Sequence, residues 1–219
     1  MNRPKRVRAG WSRTPLPITP EMVVLDLGSG AFPNARANIL CDRDLVDNRH
    51  RAGLAVVIDR PLVRADATAL PFGTGSVDFV IASHLAEHIE DPEAFCAELA
   101  RVSKAGYIET PSPLADYLLD EEYHIWRVGH RNGALVFRAK APRSRLRATL
   151  TDQFYKVFYA GQPSCERPTH DLPDNALGRA AALALRALGG VLNRLGVMHT
   201  RYLFTPTRPM RCEVQRRAD

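Results

Sequence analysis

Cysteines are few and follow no pattern. Cys41, Cys96, Cys165 and Cys212 are scattered, without a C-x-x-C pair or a histidine-rich companion at zinc spacing. This argues against a structural metal site and against a disulfide framework, and a reducing, cytoplasmic setting fits best. No continuous apolar stretch reaches the length of a bilayer span, and no apolar segment follows the basic N-terminus as it would in a secretory signal. A soluble, non-secreted protein is expected. Internal repeats and low-complexity tracts are also absent. One further absence is more specific. Gly28 and Gly30 end an apolar run, but position 33, where a dinucleotide fingerprint has its third glycine, is Pro33. NAD and FAD lose ground accordingly.

The chain has 219 residues at 45% hydrophobic composition, enough for one substantial core, so one domain with decorations is expected. The net charge of +6 and pI near 9.4 suit anionic partners, although many solvated enzymes are equally basic. Residues 1–20 carry Arg3, Lys5, Arg6, Arg8, Arg13 and four prolines, which reads as a loose basic arm. Residues 21–219 read as a single domain: a cofactor half over 22–113, substrate and lid elements over 114–209, and a final strand over 210–216.

Residues 22–27 form an apolar strand ended by the Gly28-Ser29-Gly30 turn, and 38–42 form a second strand ending in Asp42. Only eleven residues separate Gly30 from Asp42, too few for a full crossover helix plus strand, so the first crossover is reduced to a turn. Residues 62–66 give a third strand ending at Asp66. Residues 77–83 give a fully buried strand, 92–102 a helix with Phe95, Leu99 and Val102 on one side, and 105–110 another strand stopped by Pro111 and Pro113. Strands and helices in this order, with acids at strand ends, predict an α/β fold. It is a Rossmann-like, doubly wound, mostly parallel sheet that binds ligands at its carboxyl edge. Residues 134–139 and 210–215 are expected to finish that sheet as antiparallel strands, with a helix over 175–195 between them.

Together these residues resemble the class I S-adenosylmethionine-dependent methyltransferases, of the methyltransferase type 11-like branch. The resemblance runs over about 22–113, through Val24-Leu25-Asp26-Leu27-Gly28-Ser29-Gly30, Asp42, Asp66-Ala67-Thr68-Ala69-Leu70-Pro71-Phe72, residues 76–84 with Glu87-His88-Ile89, and Glu98-Leu99-Ala100-Arg101-Val102. It implies S-adenosyl-L-methionine as cofactor, with Gly28, Ser29 and Gly30 along its methionine tail and Asp26 near its amino group. Asp42 would accept the ribose hydroxyls, with Asp59 as a rival. Asp66 would take the adenine amino group and the Ala67 N–H a ring nitrogen, and Ser83 and His84 would border the cofactor at the end of the fourth strand.

Methyl transfer to oxygen or nitrogen needs orientation, exclusion of water and sometimes a base. His124, in the Tyr123-His124-Ile125-Trp126 segment, and His84 are the candidate catalytic residues. His88 reads better as holding its loop, and Tyr107, Glu109 and Tyr117 are weaker candidates. The fourth strand ends in Ser83-His84-Leu85 and not in an Asn-Pro-Pro-Tyr-like turn, which disfavours methylation of base amines or glutamine amides. Nucleic acid is disfavoured as a partner, since no RNA-binding motif is visible. A small-molecule, sugar or lipid-linked acceptor is expected, methylated at oxygen. Residues 175–197 carry Leu177, Ala181, Leu185, Leu188, Leu192 and Leu195 with Arg179, Arg186 and Arg194. Such a helix packs on its own core or acts as a lid, and could also lie on an anionic membrane. Two readings from other classes stay open: a non-catalytic cofactor-binding or partner-binding module, and a basic nucleic-acid binder.

Overall fold

The computed structural model describes residues 15–48, 51, 53–141, 180, 183, 184, 187, 188, 190–192 and 194–216. Its main sheet has six strands. β1 (Val24–Leu27), β2 (Ile39–Asp42), β3 (Leu62–Arg64), β4 (Val77–Ser83) and β5 (Ser103–Pro111) run parallel in the order β3-β2-β1-β4-β5. β8 (His199–Phe204) closes the β5 edge antiparallel. The order reverses between β1 and β4, the point at which such sheets leave a crevice at their carboxyl ends. No helix stands between β1 and β2, as the short spacing predicts. The link is a turn whose Asn34 N–H donates to Asp26 Oδ2 at 2.7 Å.

Alternation along the strands separates two apolar layers. Leu25, Leu27, Val80, Ala82 and Ile108 face one side and Val24, Phe79, Ile81 and Tyr107 the other. The first side is covered by α1 (Pro92–Val102), through Phe95, Cys96, Leu99 and Val102. Pro92 occupies the helix start, where no N–H partner is needed, and Asp91 caps it by accepting from Ala94 N–H. On the second side Leu16 and Ile18 pack against the sheet, and their carbonyls accept from the Arg36 guanidinium at 3.0 and 2.6 Å. The rest of the expected basic arm, residues 1–14, lies outside the described residues.

The expected finish of the sheet is corrected. Strands do form at β7 (Ala134–Ala139) and β9 (Cys212–Gln215), but with β6 (Trp126–Arg131) they build a separate three-stranded sheet. The edge they were expected to occupy is taken by β8, paired with β5 from Gly106 to Pro111. β6 and β7 are joined by Asn132-Gly133, both at positive φ, the backbone of a tight two-residue hairpin. Trp126, Val128, Leu135 and Phe137 of this sheet complete the first apolar layer. A short helix, α2 (Pro113–Leu119), capped by Ser112, leads from β5 toward it. Residues 183, 184, 187, 188, 190–192 and 194 are helical, in keeping with the helix expected there, while Leu177, Arg179, Ala181, Leu185 and Arg186 lie outside the described residues. Leu183, Leu188, Val191 and Leu195 are exposed, so core packing of this segment is not what the described side chains show. No helix among the described residues is long and apolar enough to cross a membrane.

Candidate functional site

A cavity of ≈ 300 Å³ opens at the carboxyl ends of β1 to β4. One wall is the Gly28–Gly30 turn. Its N–H groups are used inward: Gly28 and Ser29 donate to the Cys41 carbonyl at 2.8 and 3.2 Å, and Gly30 donates to Asp42 Oδ2 at 3.0 Å. Gly28 and Gly30 have φ of +70° and +49°, a region that side-chain-bearing residues rarely adopt. A Cβ on Gly28 would come within 3.1 Å of Leu85 Cδ1, and one on Gly30 within 3.1 Å of Arg51 Cδ, so a side chain at either position would have to displace a neighbour as well as hold a strained backbone.

Of the residues singled out in the sequence, Gly28, Gly30, Asp42, Asp66, Ala67 and His84 border this cavity. Asp42 is nearly buried. It accepts from Gly30 and Asp44 N–H groups, both at 3.0 Å, with Arg51 Nη1 at 3.7 Å from Oδ1. Asp66 accepts from the Thr68 N–H and hydroxyl and pairs with Arg43 at 3.2 Å; those hydrogen bonds hold its carboxyl below the usual range.

Asp26, Ser29, Ser83 and His124 are not among the residues lining the cavity, and neither is Asp59, whose carboxylate grips Arg60. Asp26 shares the face of Val24, beneath the turn. Burial pushes its carboxyl up to about 7, against the Asn34 N–H and Arg60, which favour the ionised form. Its Oδ2 accepts from the Asn34 N–H at 2.7 Å, which ties the end of the 28–34 turn to β1.

The histidines gather on the opposite wall, following β4. His84 adopts φ +52°, an unfavourable backbone for a non-glycine residue, just where the strand ends. Its Nδ1 stands 3.5 Å from Glu87 Oε1, an ion-pair separation longer than a good hydrogen bond. His88 borders the cavity. His124 stands behind it, their rings edge to face at 4.8 Å, and its Nδ1 meets Asp116 Oδ1 at 2.6 Å. Glu87 is fully buried. Burial opposes its charge, but His84, His88 and His124 outweigh that and draw its carboxyl down to about 2.

Arg43, Arg51, Glu87 and Asp116 went unread in the sequence. Glu87 was visible within the Glu87-His88 turn; the others carry no signal, because their partners are distant in the chain.

Residues 25–108, from β1 into β5, match the family described as methyltransferase domain. Over this segment the chain is similar to methyltransferase domains. An uncharacterised methyltransferase of Mycobacterium avium is 37% identical to the chain over 90 residues, covering 38% of this chain and 36% of its own. Another, from Mycobacterium sp. strain KMS, is 44% identical over 55 residues, 25% of this chain and 22% of its own. The chain thus spans between 22% and 36% of the length of these two relatives. Among solved structures, a SAM dependent methyltransferase from Aquifex aeolicus is similar at 20% identity and a TM-score of 0.32, over 42% of this chain and 57% of that one. One from Mesorhizobium loti is similar at 19% identity and a TM-score of 0.34, over 54% and 57%. Within the matched segment, the cavity lies where the Gly28–Gly30 turn, Asp42 and Asp66 converge.

Proposed function

We propose that the chain transfers a methyl group from S-adenosyl-L-methionine to a small-molecule, sugar or lipid-linked acceptor, at oxygen. The observation that carries this reading is the convergence, on one cavity, of a glycine turn at positive φ with the carboxylates of Asp42 and Asp66. A methionine tail needs close backbone approach, a ribose diol needs an ionised acceptor and an adenine needs an edge to pair with, and these residues fit all three. When bound, the cofactor supplies a methyl group on a sulfonium centre. Asp42 accepts the ribose hydroxyls, sharing its charge with Arg51. Asp66 and the Ala67 N–H take the adenine edge. His84, at the cavity, removes the acceptor proton, and Leu85, His88 and Tyr123 exclude water from that wall.

The exposed Leu183, Leu188, Val191 and Leu195 support peripheral membrane contact through 175–197, and with it a lipid-linked acceptor. The free thiols of Cys41, Cys96 and Cys212 are compatible with a cytoplasmic setting. A second reading, a non-catalytic cofactor-binding or partner-binding module, is favoured by His124, which pairs with Asp116 and is not part of the cavity lining. Incubation with methyl-labelled S-adenosylmethionine and fractionated polar and lipid extracts separates the two. Label should reach an acceptor in the wild type and not in Gly28→Val; cofactor binding with no transfer in any fraction selects the module.

A further inference from the structure

Residues 86–89 and 123–126 are fastened to each other at three points. Ile125 N–H donates to the Glu87 carbonyl at 3.0 Å, Trp126 Nε1 donates to the Ile89 carbonyl at 2.7 Å, and His88 Nδ1 meets the Tyr123 carbonyl at 3.1 Å. A carbonyl can only accept, so His88 Nδ1 carries the hydrogen, which leaves Nε2 as the ring's metal-ligating nitrogen. His124 is oriented in the same sense, its Nδ1 donating to Asp116 Oδ1 at 2.6 Å, while Asp116 Oδ2 faces Arg127 at 3.3 Å and Lys140 at 3.5 Å. Beside both rings lies Glu87, 1% exposed, whose Oε1 stands 3.5 Å from His84 Nδ1 and whose carboxylate makes no closer hydrogen bond. The ligand atoms of Glu87, His88 and His124 all lie within 4.8 Å of one another.

We propose that Glu87, His88 and His124 bind one divalent transition-metal ion, Zn²⁺ by its donor chemistry, on the wall of the cofactor cavity. Two imidazoles and a carboxylate are a donor set that zinc accepts, and three protein ligands leave one position open. Zinc–nitrogen bonds of about 2.0 Å set tetrahedral donors about 3.3 Å apart, so donors that lie within 4.8 Å of one another need to close by at most about 1.5 Å. The Tyr123 carbonyl and Asp116 give each imidazole the second hydrogen bond that fixes a ligating ring and raises its basicity. His88 borders the cavity, so an oxygen of the acceptor can take the open position. His84, Glu109 and His199 also cluster, but Glu109 already accepts from the Tyr107 hydroxyl and from Arg201, which makes that group a poorer cation site. The cysteine spacing that argued against a metal had no bearing on a histidine–glutamate set drawn from two separate segments. The ion's place depends on these residues alone; its role in orienting an acceptor rests on the methyltransferase reading.

The test is calorimetric titration of tag-free, chelator-stripped full-length protein with Zn²⁺, and in parallel with S-adenosylhomocysteine. One Zn²⁺ should bind per chain, about 10- to 100-fold more weakly in His88→Ala, Glu87→Gln and the supporting variant Asp116→Asn. His130→Ala, exposed on β6, should leave the affinity unchanged. Co²⁺ gives a measurement that needs no variant. One equivalent should produce the visible absorption of a nitrogen–oxygen site without the near-ultraviolet band of thiolate ligation. Absence of binding, equal affinity in folded variants, or a thiolate band would overturn the site. Zn²⁺ binding without S-adenosylhomocysteine binding keeps the site and removes the methyltransferase reading; the converse removes the site alone.

Discussion

Replacing Asp26 by Asn should make the protein less sensitive to alkaline conditions. In the folded chain burial lifts this carboxyl to about 7 from an ordinary 3.8, with the Asn34 N–H and Arg60 opposing the lift and Asp42 adding to it. A folded value above the unfolded one means that folding favours the protonated form. The associated stability is fully present below the unfolded pKa and is lost as pH rises through the folded value near 7. The climb from 3.8 to about 7 corresponds to roughly 4 kcal/mol as an upper bound, and roughly 2 to 3 kcal/mol of it should disappear between pH 5 and 8. Asparagine removes the charge but keeps an oxygen to accept from Asn34 N–H. Urea unfolding of both proteins at pH 5 and pH 8 isolates the effect, because groups shifted in the other direction, such as Glu87, cancel in the difference. Wild type should lose stability relative to the variant by that amount, with unchanged m-values. A difference that is flat with pH would refute the assignment. If Asp26 only holds the turn, the variant also keeps its cofactor affinity, whereas contact with the methionine amino group predicts a loss.

Gly106→Ala should destabilise the fold by about 1 to 3 kcal/mol in denaturant melts, since the added Cβ would lie 2.5 Å from Val80 Cγ1 and 2.6 Å from the Phe204 ring; an unchanged midpoint would show that β8 yields easily. His84→Ala should lower kcat about 100-fold while S-adenosylhomocysteine affinity stays within a few-fold, and an unchanged kcat would leave the chemistry to positioning. Sedimentation with anionic vesicles should fall when Leu188 and Leu195 are both replaced by Ser, whereas no wild-type binding would return 175–197 to a lid or core role.

The half of the fold that carries the candidate cavity was legible because each of its signals is local. An apolar run ended by Gly28, a buried run over 77–83, and a helix opening with Asp91-Pro92 can be read without knowing the partners. The other half depends on pairing at a distance. β6 alternates apolar and charged residues in a segment with no strand-like run, although Asn132-Gly133 was a usable hairpin signal. β8 buries Thr200, Tyr202 and Phe204 with period two, yet nothing in its sequence says that it, and not residues 210–215, takes the β5 edge. α2 had its Ser112-Pro113 start signal, obscured by the two prolines that end the strand. At the site, Asp42 and Asp66 follow from their positions at strand ends, and strand alternation alone would have put Asp26 on Val24's face. The pairing of His124 with Asp116, 2.6 Å from its Nδ1, was not legible, because Asp116 announces itself only through tertiary contacts.

Titration of S-adenosylhomocysteine into the wild type and Asp42→Ala tests the account's central claim most directly. Two charge-assisted hydrogen bonds to the ribose are worth about 2 to 4 kcal/mol, so the variant should bind at one site with affinity lower by roughly 30- to 900-fold; its circular dichroism should stay close to wild type, while its unfolding midpoint falls because the Gly30 and Asp44 N–H groups lose their acceptor. A wild type that does not bind the ligand, or a folded Asp42→Ala that binds it equally well, would contradict the placement of the cofactor in the cavity between the Gly28–Gly30 turn and Asp66.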